Sequence, residues 1–162
     1  MNLFEPIYNR CEIEIRAPPA LVHSVANSTN LGPQLLDFDR YRDWTHTSRW
    51  AITTDKKVQD LKPGDVIRVD LGSMSFRPAL VGITDNSLTW DGSLWGLLTG
   101  RHFFHVLPSE TTPGSTVLVQ KEEWTGPLSV PFRLGKNKHW DHGPGWDRFN
   151  EDIKAECERR SS

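Results

Sequence analysis

The sequence predicts an α+β fold in which an antiparallel β-sheet packs against one long helix. Three observations lead to this prediction. An alternating strand near the start is followed by short helical segments, about six strand-like runs recur at hairpin spacing after Trp50, and an amphipathic helix ends the chain. Helices that are separated along the chain from a series of antiparallel strands are typical of the α+β class.

The first part of the chain predicts one strand and two short helices. Residues 11–16 alternate between polar and apolar side chains, which places Ile13 and Ile15 on one face of a strand. Two prolines follow, and proline is well placed at the start of a helix because it has no N–H group to leave unpaired. The first short helix is predicted over residues 21–25 and the second over residues 35–44, where large apolar side chains recur every three residues.

The middle of the chain predicts strands joined by tight turns. Clusters of Gly, Pro, Asn and Asp separate the strand-like runs, and these residues favour turns. The predicted strands cover residues 50–54, 65–71, 76–84, 87–90, 100–107 and 115–126. No helical periodicity separates the last two runs, so we expect them to pair with each other as a hairpin.

The last segment predicts the longest helix, from near Pro144 to near Glu158. Large side chains recur there at intervals of three and four residues, and most charged side chains fall on the opposite face. The stripe consists of Trp146, Phe149, Asn150, Ile153 and Cys157. We expect this stripe to face the sheet.

The composition favours one domain over residues 1–162 and argues against several functional classes. The chain has 19 basic and 21 acidic residues, with a net charge of −2, so it lacks the basic surplus that is typical of nucleic-acid-binding proteins. No apolar run is long enough to span a bilayer, and the first residues lack the features of a signal peptide. Cys11 and Cys157 have no metal-ligand spacing around them, which favours reduced thiols and a cytoplasmic location.

The last two predicted strands point to a binding pocket. On one alternation phase they carry His102, Phe104, Val106, Leu118, Gln120, Glu122 and Trp124. A buried polar group without a partner is costly, so a wall built only for packing would not favour this mixture. An apolar lining with a few convergent polar groups is typical of a ligand pocket.

An ordered set of short motifs adds a family resemblance. The motifs are Ile13–Val22, Leu36–Trp44, Leu61–Asp65, Phe76–Pro78, Leu88–Gly92, Gly100–Phe104, Glu122–Gly126 and Phe149–Lys154. In this order they resemble the START-like, or SRPBCC, superfamily, and specifically its polyketide cyclase/dehydrase branch. The resemblance implies a helix-grip fold, with a curved antiparallel sheet wrapped around the long C-terminal helix, two short helices after the first strand, and a hydrophobic cavity. It implies less about chemistry, because one fold hosts binders, carriers, cyclases and dehydratases.

The sequence departs from the family pattern in segment 136–144, which is rich in His and Trp. Because this segment leads into the last helix, we expect it to form part of the cavity mouth and to gate entry. It contains His139, Asp141 and His142, but no fourth ligand has recognisable spacing, so no metal site is expected. No cofactor is expected either, and a glycine-rich phosphate-binding loop is missing.

The candidate catalytic residues are His102, Glu122 and Tyr41. A hairpin loop centred midway between the last two strands places His102 opposite Glu122 and Phe104 opposite Gln120. A carboxylate beside an imidazole can hold a proton near neutral pH, which suits general acid–base catalysis. The same pair can equally be a structural contact between two buried polar groups. The hydroxyl of Tyr41 is expected to point at the cavity.

The expected ligand-binding residues are Trp90, Phe104, Gln120, Trp124, Phe149, Asn150 and Ile153. Trp90 and Trp124, on neighbouring strands, either stack on a planar ligand or pack as core residues. Asn150 either hydrogen-bonds a ligand carbonyl or ties the last helix to the sheet.

Two functions fit these residues. The first is a cofactor-free enzyme that closes a ring in, or dehydrates, a small hydrophobic or aromatic precursor held in the cavity. His102 and Glu122 would then move protons, and Tyr41 or Asn150 would polarise a carbonyl. The second is a non-catalytic binding or carrier protein in which the same polar groups only orient a small hydrophobic ligand. A third hypothesis is a partner-binding domain whose seven tryptophans form an exposed patch.

Overall fold

The computed structural model describes residues 7–23, 35–130 and 143–162. Strand β1 covers Ile7–Ile15 and is followed by helices α1 (Pro19–Val22) and α2 (Tyr41–Trp44). The other strands are β2 (Ala51–Thr53), β3 (Arg68–Asp70), β4 (Ser75–Phe76), β5 (Ala79–Thr84), β6 (Ser87–Leu94), β7 (Leu98–Pro108) and β8 (Thr116–Thr125). Helix α3 covers Gly143–Ser161. Single turns of 3₁₀ helix occupy Phe38–Arg40, Val58–Asp60 and Pro127–Ser129.

The strands form two antiparallel sheets. The main sheet has five strands in the order β1-β8-β7-β6-β5, and a smaller sheet has the order β2-β3-β4. A bridge between Val66 and Ala79 links the segment before β3 to the edge of the main sheet. The predicted α+β class and the antiparallel hairpin between the last two strands are therefore confirmed.

Two predicted elements are broken up in the structure. The run over residues 76–84 forms two strands, β4 and β5, because Pro78 has no N–H group for a sheet ladder. The predicted helix over residues 35–44 is one 3₁₀ turn followed by one α-helical turn, and no side chain caps either turn. Such short helical segments owe their stability to tertiary packing. The end of the predicted helix over residues 21–25 lies outside the described residues.

Helix α3 buries the predicted stripe against the sheet. Its stripe residues Trp146, Phe149, Asn150, Ile153 and Cys157 are all buried. The Phe149 ring stacks on Trp50 at 4.6 Å and lies 5.5 Å from the Phe104 ring of β7. The aromatic side chains of α2 close the same cluster, since Tyr41 and Trp44 also contact Phe149.

Polar contacts fix α3 relative to the rest of the fold. The carboxylate of Asp152 accepts hydrogen bonds from the backbone N–H and the hydroxyl of Ser48, both at 2.8 Å, and from the N–H of Thr47. The ammonium group of Lys154 donates to the backbone carbonyl of Glu14 at 2.6 Å. These contacts hold the buried face of α3 over the main sheet.

The described helices include none that is both long and apolar enough to cross a membrane. The tryptophans do not form the exposed patch of the third hypothesis in the described part of the chain. Trp44, Trp50, Trp90 and Trp146 are buried, whereas Trp95, in the turn between β6 and β7, is 86% exposed. The partner-binding hypothesis therefore loses the observation that motivated it.

Candidate functional site

Cross-strand pairing brings the candidate residues together on the inner face of the main sheet, the face that packs against α3. One row across the sheet consists of Asn9, Glu122, His102 and Trp90. The next row consists of Cys11, Gln120, Phe104 and Leu88. The predicted positions of His102 opposite Glu122 and of Phe104 opposite Gln120 are both confirmed.

His102 lies in a cage of aromatic rings. Its imidazole stacks on the Trp90 ring, with centroids 4.9 Å apart and planes 10° apart, and the Trp146 ring meets it edge-on at 4.9 Å. Burial lowers the pKa of His102 from 6.5 to about 3, although the nearby Gln120 carboxamide favours the protonated ring. The imidazole is therefore neutral at physiological pH. Its Nε2 atom has no well-formed hydrogen bond among the described residues.

A chain of side-chain hydrogen bonds crosses from β8 through α3 to β1. The Gln120 amide donates to Asn150 Oδ1 at 2.7 Å, and the Asn150 amide donates to the sulfur of Cys11 at 3.2 Å. Burial raises the pKa of the Cys11 thiol to about 11, so it is not a reactive thiolate. Both polar atoms of Asn150 are thus used to tie α3 to the sheet, which is the structural alternative predicted for this residue.

Glu122 differs from the other polar residues of these two rows because it is only half-buried, and no positively charged partner is described for it. Desolvation raises the pKa of its carboxyl from 4.5 to about 7. The carboxyl lies close to Gly100: a Cβ atom at Gly100 would lie 2.8 Å from Glu122 Oε1 and 3.1 Å from Cζ3 of Trp124. Glycine at position 100 therefore leaves the space that the carboxyl and the indole ring share.

His102 and Glu122 do not form the proton-sharing pair that the sequence predicts. His102 and Glu122 face each other across the strands, but no hydrogen bond joins them in the described part of the chain. Burial disfavours the charged form of both groups, so it lowers the pKa of His102 and raises that of Glu122. The carboxyl, and not the imidazole, is the group that exchanges a proton near neutral pH.

Solvent reaches the inner face at one end. Gln120 is fully buried, whereas Glu122 and Trp124, further along β8, are half-buried. Phe104, Phe149 and Ile153 are each fully buried, and the two phenylalanine rings pack against each other. These three predicted ligand contacts therefore form the packed floor, while Glu122 and Trp124, next to the buried Gly100, define the accessible end.

Tyr41 does not direct its hydroxyl as predicted. The hydroxyl donates a 2.6 Å hydrogen bond to the backbone carbonyl of Leu35, and the side chain is fully buried among Phe38, Trp44 and Phe149. Desolvation raises its pKa well above 10. The catalytic role predicted for Tyr41 has no support in this geometry, because its one donor is committed to the backbone.

A Tyr41→Phe variant should therefore be less stable but functionally intact. Removing the hydroxyl leaves the buried Leu35 carbonyl without its donor, which costs about 1–3 kcal/mol in the free energy of unfolding. Urea denaturation measures this loss. A variant that keeps wild-type stability but loses ligand binding or turnover would show that the hydroxyl has the functional role after all.

Several site residues were not predicted. The structure adds Asn9, Cys11, Trp50, Trp146 and Gly100 to the inner face around His102 and Glu122. Asn9 continues the alternation of the first strand, and extending that pattern by two residues would have found it. Trp50 reaches the site from the loop before β2, and no local sequence pattern indicates such a long-range contact.

Two sequence predictions fall largely outside the described residues. The proposed gating segment 136–144 and the His139–His142 cluster lie there, apart from the first two residues of α3. Within the described residues, no group of three or more potential ligands could hold a metal ion.

A separate groove of about 860 Å³ lies on the outer face of the sheet, lined by charged residues of β1, by Val117 and Val119, and by the turn between β7 and β8.

The free energy of unfolding should depend on pH through two groups of the inner face, His102 and Glu122. Folding lowers the pKa of His102. Between pH 6.5 and about pH 3, the unfolded chain therefore binds a proton at this residue that the folded chain does not bind. The free energy of unfolding falls as the pH falls through this window. Folding raises the pKa of Glu122, so stability falls as the pH rises from 4.5 to about 7. The two slopes oppose each other between pH 4.5 and 6.5, where we expect a plateau.

Urea denaturation between pH 3.5 and 8.5 measures this profile. Glu122→Gln should remove the opposing contribution of the carboxyl, on the order of 2 kcal/mol once its partial exposure is allowed for, so that stability rises through pH 4.5–6.5 instead of staying level. A wild-type profile that rises steadily to pH 8 would contradict the raised pKa of Glu122.

Solved structures resemble the chain, whereas no protein-family model matches it and no curated protein sequence matches it significantly. A START superfamily protein from Mycobacterium smegmatis has a TM-score of 0.59 at 14% identity, over 94% of this chain and 98% of that chain. The Zhui aromatase/cyclase from Streptomyces sp. R1128 has a TM-score of 0.57 at 12% identity, over 96% and 95%. A point mutant of Thalictrum flavum norcoclaurine synthase has a TM-score of 0.61 at 12% identity, over 98% of each chain.

Proposed function

We propose that this chain, which has the START-like helix-grip fold, is a cofactor-free enzyme of the polyketide cyclase/dehydrase type. It would bind a small hydrophobic or aromatic precursor between the main sheet and α3. The observation that carries the proposal is Glu122, a half-buried carboxyl with a pKa of about 7 on a wall that is otherwise mostly aromatic and apolar. The similarity to an aromatase/cyclase supports the same class, although it shows only the fold.

Glu122 would carry the proton in this proposal. A general base or acid is most effective when its pKa lies near the working pH, because both protonation states are then accessible. In a dehydration, the carboxylate takes a proton from carbon, and the same proton leaves with the departing hydroxyl as water. In a ring closure, the carboxylate takes the carbon-bound proton, and the new alkoxide recovers it after the carbon–carbon bond forms. Glu122 ends each cycle ionised, and no redox partner is needed.

The aromatic side chains would hold the precursor. Trp90 and Trp146 pack around His102, and Trp124 lies beside the carboxyl above Gly100. Flat, rigid rings favour a planar molecule and limit the conformations of a flexible one, so reacting atoms meet more often. The neutral His102 would contribute a hydrogen bond to the bound molecule rather than a charge.

The alternative function, a non-catalytic binding or carrier protein, is favoured by a different observation. Several polar groups around the inner face are already committed to the fold: Asn150 bridges Gln120 and Cys11, and Tyr41 bonds a backbone carbonyl. In that case Glu122 would orient a ligand without transferring a proton.

A generic proton-abstraction assay separates the two functions without knowledge of the natural substrate. The probe is 5-nitrobenzisoxazole, which opens to a cyanophenolate when a base removes its one acidic C–H proton. The enzyme hypothesis predicts a rate above the buffer background that rises with a single ionisation near pH 7. The neutral dye N-phenyl-1-naphthylamine tests binding in parallel. Dye binding with no elimination would favour the carrier, and the absence of both would reject the inner face as a ligand site.

A further inference from the structure

The inner face of the sheet carries a negative charge without a described counter-charge. Glu122 is its one acidic side chain in the described part of the chain, and no Lys or Arg faces inward there. The charged neighbours of Glu122 in β8 point to the other face, where Lys121 pairs with Glu123 at 2.7 Å and lies 4.4 Å from the centre of the Tyr8 ring. Among the described residues, a bound anion would therefore meet repulsion from the ionised carboxyl and no compensating cation.

The carboxyl is also held beside an electron-rich ring. Glu122 Oε1 and Cζ3 of Trp124 both approach the same point above Gly100, at 2.8 Å and 3.1 Å from the position of a Cβ atom there. Tryptophan is the aromatic side chain that attracts organic cations most strongly. A carboxylate next to an indole, at the half-buried end of an aromatic wall, is a suitable environment for an alkylammonium group.

We propose that Glu122 and Trp124 select a ligand whose aromatic or hydrophobic body carries a protonated amine. This inference rests on the proposed function, because it places the ligand on the same inner face. The amine lies against the carboxylate and the Trp124 ring, and the apolar body extends towards Trp90 and Trp146. A carboxylate has two oxygens, so one can hold the ammonium group while the other remains available to accept a proton.

Among the residues that the structure describes, Glu122 is the group through which the amine preference should depend on pH. His102, on β7, is neutral above about pH 3, and Cys11, on β1, keeps its thiol proton below about pH 11. From α3, the polar side chain that faces this part of the sheet is Asn150, and Asp147 adds a negative charge near Cys11. An alkylammonium ion stays protonated up to about pH 10. Between pH 5.5 and 8, the change in charge at this site is therefore the ionisation of Glu122.

The test uses three probes of similar size and different charge: 2-(1-naphthyl)ethylamine, 2-(1-naphthyl)ethanol and the carboxylate 1-naphthaleneacetate. Isothermal titration calorimetry at pH 8 should show the amine binding at least about 10-fold more tightly than the alcohol, and the acetate most weakly. At pH 5.5, where Glu122 is mostly protonated, the preference should largely disappear. Glu122→Gln should abolish the preference at pH 8, because the neutral carboxamide has no charge with which to favour the amine over the alcohol.

A matched control separates this site from general attraction of cations to an acidic surface. Glu123→Gln removes the same charge from the next residue of β8, on the outer face, and should leave the amine preference unchanged. If the alcohol binds but the amine has no advantage, or if both variants reduce the advantage equally, the amine inference is wrong and the hydrophobic site stands. If no probe binds, the proposed function fails together with the inference.

Discussion

Glu122→Gln should reduce the elimination of 5-nitrobenzisoxazole by roughly 10²-fold or more, the usual loss when a general base is removed. The glutamine side chain has nearly the same shape, but it cannot accept a proton at neutral pH. It also removes the desolvation penalty of the ionised carboxyl, so the variant should be at least as stable as the wild type at pH 8. Binding of N-phenyl-1-naphthylamine should remain largely intact, and pre-steady-state and steady-state absorbance measurements give the rates.

Two control variants make this result specific. Glu123→Gln alters the adjacent acid on the outer face and should leave the rate unchanged. His102→Ala tests the other predicted catalytic residue: because the imidazole is neutral and caged by aromatic rings, we expect its loss to lower stability and binding together. Equal rates in the wild type and in Glu122→Gln would exclude catalysis by this carboxyl and favour the carrier.

Phe149→Ala should lower the free energy of unfolding by about 3–5 kcal/mol, the usual cost of truncating a buried phenylalanine. Phe149 is fully buried, and its ring contacts Trp50 at 4.6 Å, Phe104 at 5.5 Å and the aromatic side chains of α2. It is the point at which α3, the main sheet and the loop before β2 meet. Its loss would leave a cavity lined by rings that cannot collapse fully.

Phe103→Ala is the matched control for this prediction. Phe103 lies next to Phe104 in β7, but it faces the outer side of the sheet and is only half-buried. Its truncation should cost clearly less than that of Phe149 in parallel urea titrations. Similar losses for the two variants would show that α3 is not clamped by this aromatic cluster.

The sequence predicted the fold and the strand register well because both depend on periodic patterns. Alternation along the last two strands placed His102 opposite Glu122, and spacing along the last helix placed Phe149 and Ile153 on its buried face. These patterns repeat over many residues, so a single exception does not change the prediction. Pro78 was the local exception, and it divided one predicted strand into two.

The chemistry of the site was harder to predict because it depends on contacts between distant parts of the chain. Tyr41 has a pattern that places it in the core, but the Leu35 carbonyl that accepts a hydrogen bond from its hydroxyl is recognisable only in the folded chain. The pKa of His102 follows from the rings of Trp90 and Trp146, which come from a different strand and from α3. The sequence pairs His102 with Glu122, whereas burial determines which of the two can hold a proton.

The pKa of Glu122 is the quantity on which the proposed chemistry depends. Selective ¹³C labelling of glutamate side chains allows each carboxyl to be titrated by NMR, and the Glu122→Gln variant identifies the resonance. We expect the carboxyl carbon of Glu122 to titrate with a midpoint near 7, well above the ordinary value of 4.5. A midpoint near 4.5 would mean that water solvates this carboxyl fully, and it would contradict its role as the proton carrier of the site.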